Sequence, residues 1–138
     1  MRVVDASVLT SALVPNDLYY APSRQWLDQP VADGSQIIVP TLVIPELGGA
    51  IVRRTGDPAA AARGVLWVRR LSSLWLVAID DSLGDEATDV AMKLRLRGAD
   101  AVYVALARRE GVPLVTWDRE QLDRTHGIIV AHTPETAP

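Results

Sequence analysis

Cysteine and phenylalanine are both missing from this chain of 138 residues, and Lys93 is its only lysine. Without cysteine there are no disulfides and no thiolate metal sites, a composition that suits a reducing compartment. Long apolar runs are missing as well. No stretch approaches the roughly 18 residues of a membrane span, and no basic segment leads into an apolar one at the start. The expectation is a cytoplasmic protein without membrane contact. Positive charge is not in excess either: the formal net charge is −3, so no global basic field points to nucleic acid. A local basic face is still open, because nearly all the cations are arginine, whose planar fork suits phosphate. A base-rich genome accounts for the arginines equally well. Four tryptophans in place of phenylalanine leave room for an exposed aromatic at an interface.

What is present is a hydrophobic fraction of 49% and a charged fraction of 22%, the balance of one globular domain. The domain is expected over residues 1–131, with a loosely held polar tail over 132–138. Strand-length apolar runs occur at Arg2-Val3-Val4, Gln36 to Pro40, Trp75 to Ile79, Leu114 to Trp117 and Gly127 to Val130. Helical stretches fall between them. Ser7 is positioned to cap Val8 to Val14, and Leu18 to Leu27 reads as a second helical piece before a loop from Gln29 to Ser35. A helix entered between Thr41 and Pro45 runs through Arg54, with Glu46 near its start. Its Gly48-Gly49 pair predicts a close approach to another backbone. Asp57 as N-cap and Pro58 at N1 open the helix Ala59 to Leu71. Asp80-Asp81-Ser82 leads into a helix with Ala87, Val90, Ala91 and Leu94 inward, ended by Gly98. Ala101 to Ala107 is apolar nearly all round and should be a central buried helix. This alternation of strands and helices predicts an α/β fold with a parallel sheet and helices on both faces.

In such a sheet the carboxyl ends of the strands form the crevice where ligands bind. Four acids share that edge: Asp5 and Asp118 at strand ends, Glu46 and Asp100 in the first turns of helices that follow. They are separated by 41, 54 and 18 residues, which excludes a local loop site of the EF-hand type. Each has a structural explanation alone, as a cap or as an acid at the positive end of a helix dipole. Together they are crowded like charges, unfavourable unless a cation neutralises them. All-oxygen ligands call for a hard ion, Mg²⁺ or Mn²⁺. Such an ion equips a site for phosphodiester hydrolysis, supplying a hydroxide nucleophile and stabilising the leaving oxygen.

The set Val3-Val4-Asp5-Ala6-Ser7, Pro45-Glu46-Leu47, Arg97 to Ala107 and Leu114-Val115-Thr116-Trp117-Asp118 resembles the PIN-domain family, specifically the VapC-type toxin ribonucleases. The resemblance spans nearly the whole chain in order and spacing. It implies a three-layer α/β/α fold with a central parallel sheet of about five strands. It also implies Mg²⁺- or Mn²⁺-dependent cleavage of RNA, a homodimer, and a small antitoxin protein whose tail enters the acidic cleft. By the same resemblance Asp5, Glu46, Asp100 and Asp118 are the catalytic, metal-holding acids. Ser7 and Thr116 match the hydroxyl positions beside the first and last of them. Arg53, Arg54 and Arg97 are candidate RNA contacts. Asp123 is a candidate outer acid, and His126 and His132 are assigned no catalysis. Pro45 constrains how Glu46 is presented.

Two other readings are open. One is phosphoryl transfer through an aspartyl phosphate at Asp5, although Asp5-Ala6-Ser7 lacks a second acid two residues on and Lys93 is far from any strand end. The other is a catalytically silent domain of the same fold that only binds a partner protein.

Overall fold

The structure, a computed structural model, describes residues 1–138 apart from the side chain of Val31. Its strands are β1 (Arg2–Val4), β2 (Ile37–Pro40), β3 (Leu74–Val77), β4 (Leu114–Val115) and β5 (Ala131–His132). They form one five-stranded sheet in the order β3-β2-β1-β4-β5, and every pair is parallel. The chain moves outward from β1 to β3, then crosses back to the other side of β1 for β4. The switch point of the sheet therefore lies between β1 and β4, where the crossovers change face and leave a crevice at the strand ends.

Seven helices cover the sheet: α1 (Ala6–Leu13), α2 (Tyr20–Asp33), α3 (Val43–Thr55), α4 (Pro58–Arg70), α5 (Asp81–Leu94), α6 (Gly98–Glu110) and α7 (Arg119–Arg124). In one group α1 packs with α2 and α3, and α3 with α4; in the other α5 packs with α6, which lies across β1, β2 and β4. As its composition predicts, α6 is buried without interruption from Ala101 to Ala107. Val3, Val4, Val39, Leu114 and Val115 are fully buried between the layers, as strands covered on both faces require.

Several local expectations need correction. Asp5, not Ser7, is the N-cap of α1, its carboxylate accepting from the Ser7 N–H. A carboxylate one residue past the strand reaches the first free amides, whereas Ser7 is already inside the helix. The loop expected from Gln29 to Ser35 is largely helix: α2 continues through Pro30 to Asp33 and stops where Gly34 turns left-handed at φ 72°. Near the end of a helix a proline deletes one hydrogen bond and leaves the preceding turns intact. Gly98 begins α6, and α5 is ended by Arg95 in the left-handed region at φ 56°. The last strand is Ala131–His132, not Gly127 to Val130. Gly127 has φ 81°, a turn conformation, and the segment first reaches the edge of β4 when the Leu114 N–H bonds the Val130 carbonyl.

The close helix approach is also displaced from its expected place. A Cβ on Gly48 would meet Val65 at an ordinary 3.7 Å, while one on Gly64 of α4 would stand 2.7 Å from Ile51 Cδ1 and 3.3 Å from Leu13 Cδ1. Gly64→Val is therefore expected to destabilise the fold by about 1–3 kcal/mol through overpacking. Gly48→Ala should be neutral or gain up to about 1 kcal/mol of helix propensity. Urea unfolding of the two variants checks the pair, and equal midpoints would refute the assignment.

Candidate active site

Asp5 follows β1 directly, and its position is fixed by the sheet. Its N–H donates to the Val115 carbonyl at the end of β4 over 2.9 Å, which joins the loop of the first acid to the strand that delivers the last. Ser7 strengthens the join, its hydroxyl oxygen accepting from the Trp117 N–H at 3.1 Å. Thr116, fully buried, accepts from the Asp118 N–H at 2.9 Å. Both hydroxyls thus hold the backbone that carries the acids.

Asp118 caps α7, its carboxylate accepting from the Gln121 N–H at 2.8 Å. Glu46 lies in the first turn of α3 and Asp100 in that of α6. All four acids line one cleft of about 700 Å³ over the switch point, with Arg53, Arg54 and Arg97 on its wall. Pro45 lines the cleft beside Glu46. Asp123 is exposed on α7 and does not line it. Neither does Lys93, exposed in the last turn of α5. His126 borders a separate, mainly apolar groove of about 820 Å³ beside β5, which carries no acid.

Two residues without an assigned role hold the acids in place. Tyr103, fully buried, donates its hydroxyl to Glu46 Oε2 at 2.6 Å. Gln121, also fully buried, directs its amide nitrogen at Asp5 Oδ1, 3.2 Å away, and at Asp100 Oδ1, 3.4 Å away. Both were visible as spacing. Tyr103 lies three residues after Asp100, on the same helix face, and Asp118-x-x-Gln121 has the form of a helix-capping pair. In a usual capping box that glutamine would turn back to the cap residue's own N–H; here it spans two acids instead.

Electrostatics mark the cleft as anionic and strained by like charge. Burial pushes the Glu46 carboxyl up, against the pull of the Tyr103 hydroxyl, and the charges of Asp5 and Asp100 add to the rise. Burial likewise raises Asp100, helped by Asp118 and Asp5 and opposed by Arg97 and Gln121. Burial, the charges of Asp5 and Glu46 and the bond to Glu46 raise the Tyr103 phenol, which stays protonated and able to donate. A carboxyl raised in the folded state favours folding below its unfolded value and loses that contribution as pH rises through the folded one. Glu46→Gln and Asp100→Asn should therefore melt a few degrees above wild type at neutral pH in chelator, the gap closing as pH falls toward the ordinary carboxylate range. Thermal melts across that range check this. A gap independent of pH, or variants that melt lower at neutral pH, would remove the repulsion argument.

The donor set suits a hard cation. It is all carboxylate, it is penalised by its own charge, and the Gln121 Oε1 beside it is buried with no hydrogen-bond partner, an acceptor left open among acceptors. Among the described residues no three acids are already drawn into a coordination cluster. Asp5, Glu46 and Asp118 are each held by their own donor, so a cation would have to draw them inward.

The profile of the PIN domain matches residues 2–127. The chain belongs to the PIN-domain family. The matched span contains all four acids of this PIN domain and ends before β5. No curated protein matches it in sequence. Among solved structures it is similar to PAE2754 from Pyrobaculum aerophilum, with 30% identity, 98% of this chain and 90% of that one covered and a TM-score of 0.71. VapC20 of Mycobacterium tuberculosis, a toxin that cleaves the sarcin-ricin loop, superposes with a TM-score of 0.77 at 16% identity, over 94% of this chain and 97% of its own. A toxin–antitoxin complex from Klebsiella pneumoniae gives a TM-score of 0.72 at 16% identity, with 97% and 98% covered. At 16% identity the last two likenesses concern the fold.

Proposed function

We propose that this PIN domain is a Mg²⁺- or Mn²⁺-dependent endoribonuclease, the toxin of a type II toxin–antitoxin pair. The observation that carries the reading is the convergence of Asp5, Glu46, Asp100 and Asp118 on one cleft at the switch point of the sheet. Asp5, Glu46, Asp100 and Asp118 are the residues that would hold the cation. When bound, it supplies Lewis-acid activation of water and neutralises charge at the phosphodiester. Tyr103 keeps Glu46 oriented and favours its ionised form. Gln121 holds Asp5 and Asp100 in register across the cleft. Ser7 and Thr116 fix the loops that carry the first and last acids, and Arg53, Arg54 and Arg97 offer forks to the phosphates on either side.

The toxin part of the reading is supported by the VapC20 likeness and by the complexes among the structural neighbours, such as that from Klebsiella pneumoniae. It includes a small antitoxin as partner, a homodimer and a cytoplasmic setting. Among the described residues no helix is long and apolar enough to cross a membrane. The aspartyl-phosphate reading loses support because no lysine lines the cleft. The silent, partner-binding reading is favoured by one observation, the absence of a ready-made acid cluster among the described residues. Cleavage of a panel of structured RNAs with Mg²⁺ or Mn²⁺, in wild type and in Asp100→Asn, decides between them. Metal-dependent cleavage lost in the variant supports the nuclease; equal activity in both would end the assignment of roles. Mn²⁺ titration without binding would favour the silent domain.

A further inference from the structure

Beside the acids, the cleft has a wall that the hydrolytic chemistry does not require. Tyr19 and Trp117 are stacked, with ring centroids 4.1 Å apart and planes 14° from parallel, and both line the cleft. The pair is built rather than incidental, because hydrogen bonds hold the backbone of Tyr19 and both the backbone and the indole of Trp117. Tyr19 is the N-cap residue of α2, and its N–H donates to the Asp17 carboxylate at 2.8 Å. The other oxygen of Asp17 is ion-paired with Arg54, itself a cleft residue. Trp117 is pinned by its backbone to Ser7 and by its indole N–H to Ser23 Oγ at 2.7 Å. Ser23 is fully buried, and its own N–H bonds the Tyr19 carbonyl at 3.0 Å. Ser23 therefore ties the Tyr19 backbone and the Trp117 indole to one buried residue, while Tyr19 keeps 37% of its surface exposed.

We propose that the stacked Tyr19 and Trp117 rings form a platform on which an unpaired base of the RNA stacks beside the phosphate to be cut. The inference rests on the nuclease reading and adds to it a base-stacking subsite at Tyr19 and Trp117, which only an unpaired base can occupy. Bases paired within a helix have no free face, whereas splayed bases bind RNA-recognising proteins by stacking on aromatic side chains. The surroundings fit this occupant. Trp117 directly precedes Asp118, so a base on the pair is adjacent to the acids, and Arg54 connects the platform to the arginines that border the cleft. Stacking tolerates any base, so the pair selects for strandedness rather than sequence. Because it is rigid before binding, little ordering cost is left for the complex.

The test uses the full chain and short oligoribonucleotides, single-stranded or annealed, with binding followed by anisotropy in Ca²⁺ and cleavage in Mn²⁺. Wild type is expected to bind the single strand more tightly than the duplex. Tyr19→Leu should weaken single-strand binding by about 10-fold and raise KM by a similar factor with kcat little changed, while Tyr19→Phe behaves as wild type. An abasic nucleotide at the stacking position should cost wild type the same factor and cost Tyr19→Leu nothing further. Thermal melts of Tyr19→Leu confirm that it is folded. Equal affinity of wild type and Tyr19→Leu, equal affinity for duplex and single strand, or no oligonucleotide binding would each overturn the platform. Single-strand binding with the stated Tyr19 effect but no cleavage would retain the platform and remove the nuclease reading, which separates the two failures.

Discussion

Asp5→Asn is expected to lower metal-dependent RNA cleavage by about 100-fold or more, the several kcal/mol that cation chemistry contributes at such a centre, while the thermal midpoint moves by no more than a few degrees. The fold tolerates the change for reasons visible at the site. Asparagine caps a helix about as well as aspartate, so the bond from the Ser7 N–H is retained. The new amide would face the Gln121 nitrogen that now bonds Asp5. Gln121 can rotate its side-chain amide and offer its buried, unpartnered Oε1 instead. What is lost is one negative charge at the centre of the acids. Asp123→Asn is the matched control: its carboxylate is exposed on α7 and outside the cleft, and activity should stay at the wild-type level. Cleavage rates and melts on the same preparations check both. Loss of activity in Asp123→Asn with Asp5→Asn unaffected would invert the site.

The largest effect on stability is expected at Tyr103. Its ring is fully buried in the central helix, so Tyr103→Ala should cost about 3–5 kcal/mol through lost burial and the cavity left behind, a large share of the roughly 5–15 kcal/mol that holds a domain folded. Tyr103→Phe keeps the ring and removes only the donor to Glu46. It should cost about 1–2 kcal/mol, the scale of a hydrogen bond to a charged group in a partly wet site. With the hydroxyl gone, the one contact that lowers the Glu46 carboxyl is removed, and the acid limb of the pH–rate profile should move up. Urea unfolding and a pH profile separate the two roles. A Tyr103→Ala cost below about 1 kcal/mol, or an acid limb unmoved in Tyr103→Phe, would show that the residue does not couple core and site.

Gln121 and Tyr103 show where reading by residue type stops. Both have legible spacing, yet a capping pair predicts only a bond back to the cap, and an aromatic three residues after an acid on an apolar helix reads as core. Tyr103 is indeed core at its ring. Its hydroxyl matters only because α3, 57 residues away in sequence, delivers Glu46 to the same point. Tyr19 and Trp117 are a similar case, since a contact between side chains 98 positions apart leaves no local pattern. Asp57 with Pro58 is the opposite case, a helix start set by neighbouring residues and found as expected.

The sequence by itself determined the layered α/β class, the burial of α6, the Asp57-Pro58 helix start, and the four acids as candidates at strand and helix ends. These follow from periodicity and local backbone chemistry, which act over a few residues. Tertiary structure decided the strand order, and with it the switch point that turns four separate acids into one cleft. It also decided that Asp5, held through its N–H by the Val115 carbonyl, faces that cleft, that Asp123 is excluded from it, and that β5 forms at Ala131–His132. In each case the deciding contact is between segments far apart in the chain, whose energy local preference does not contain.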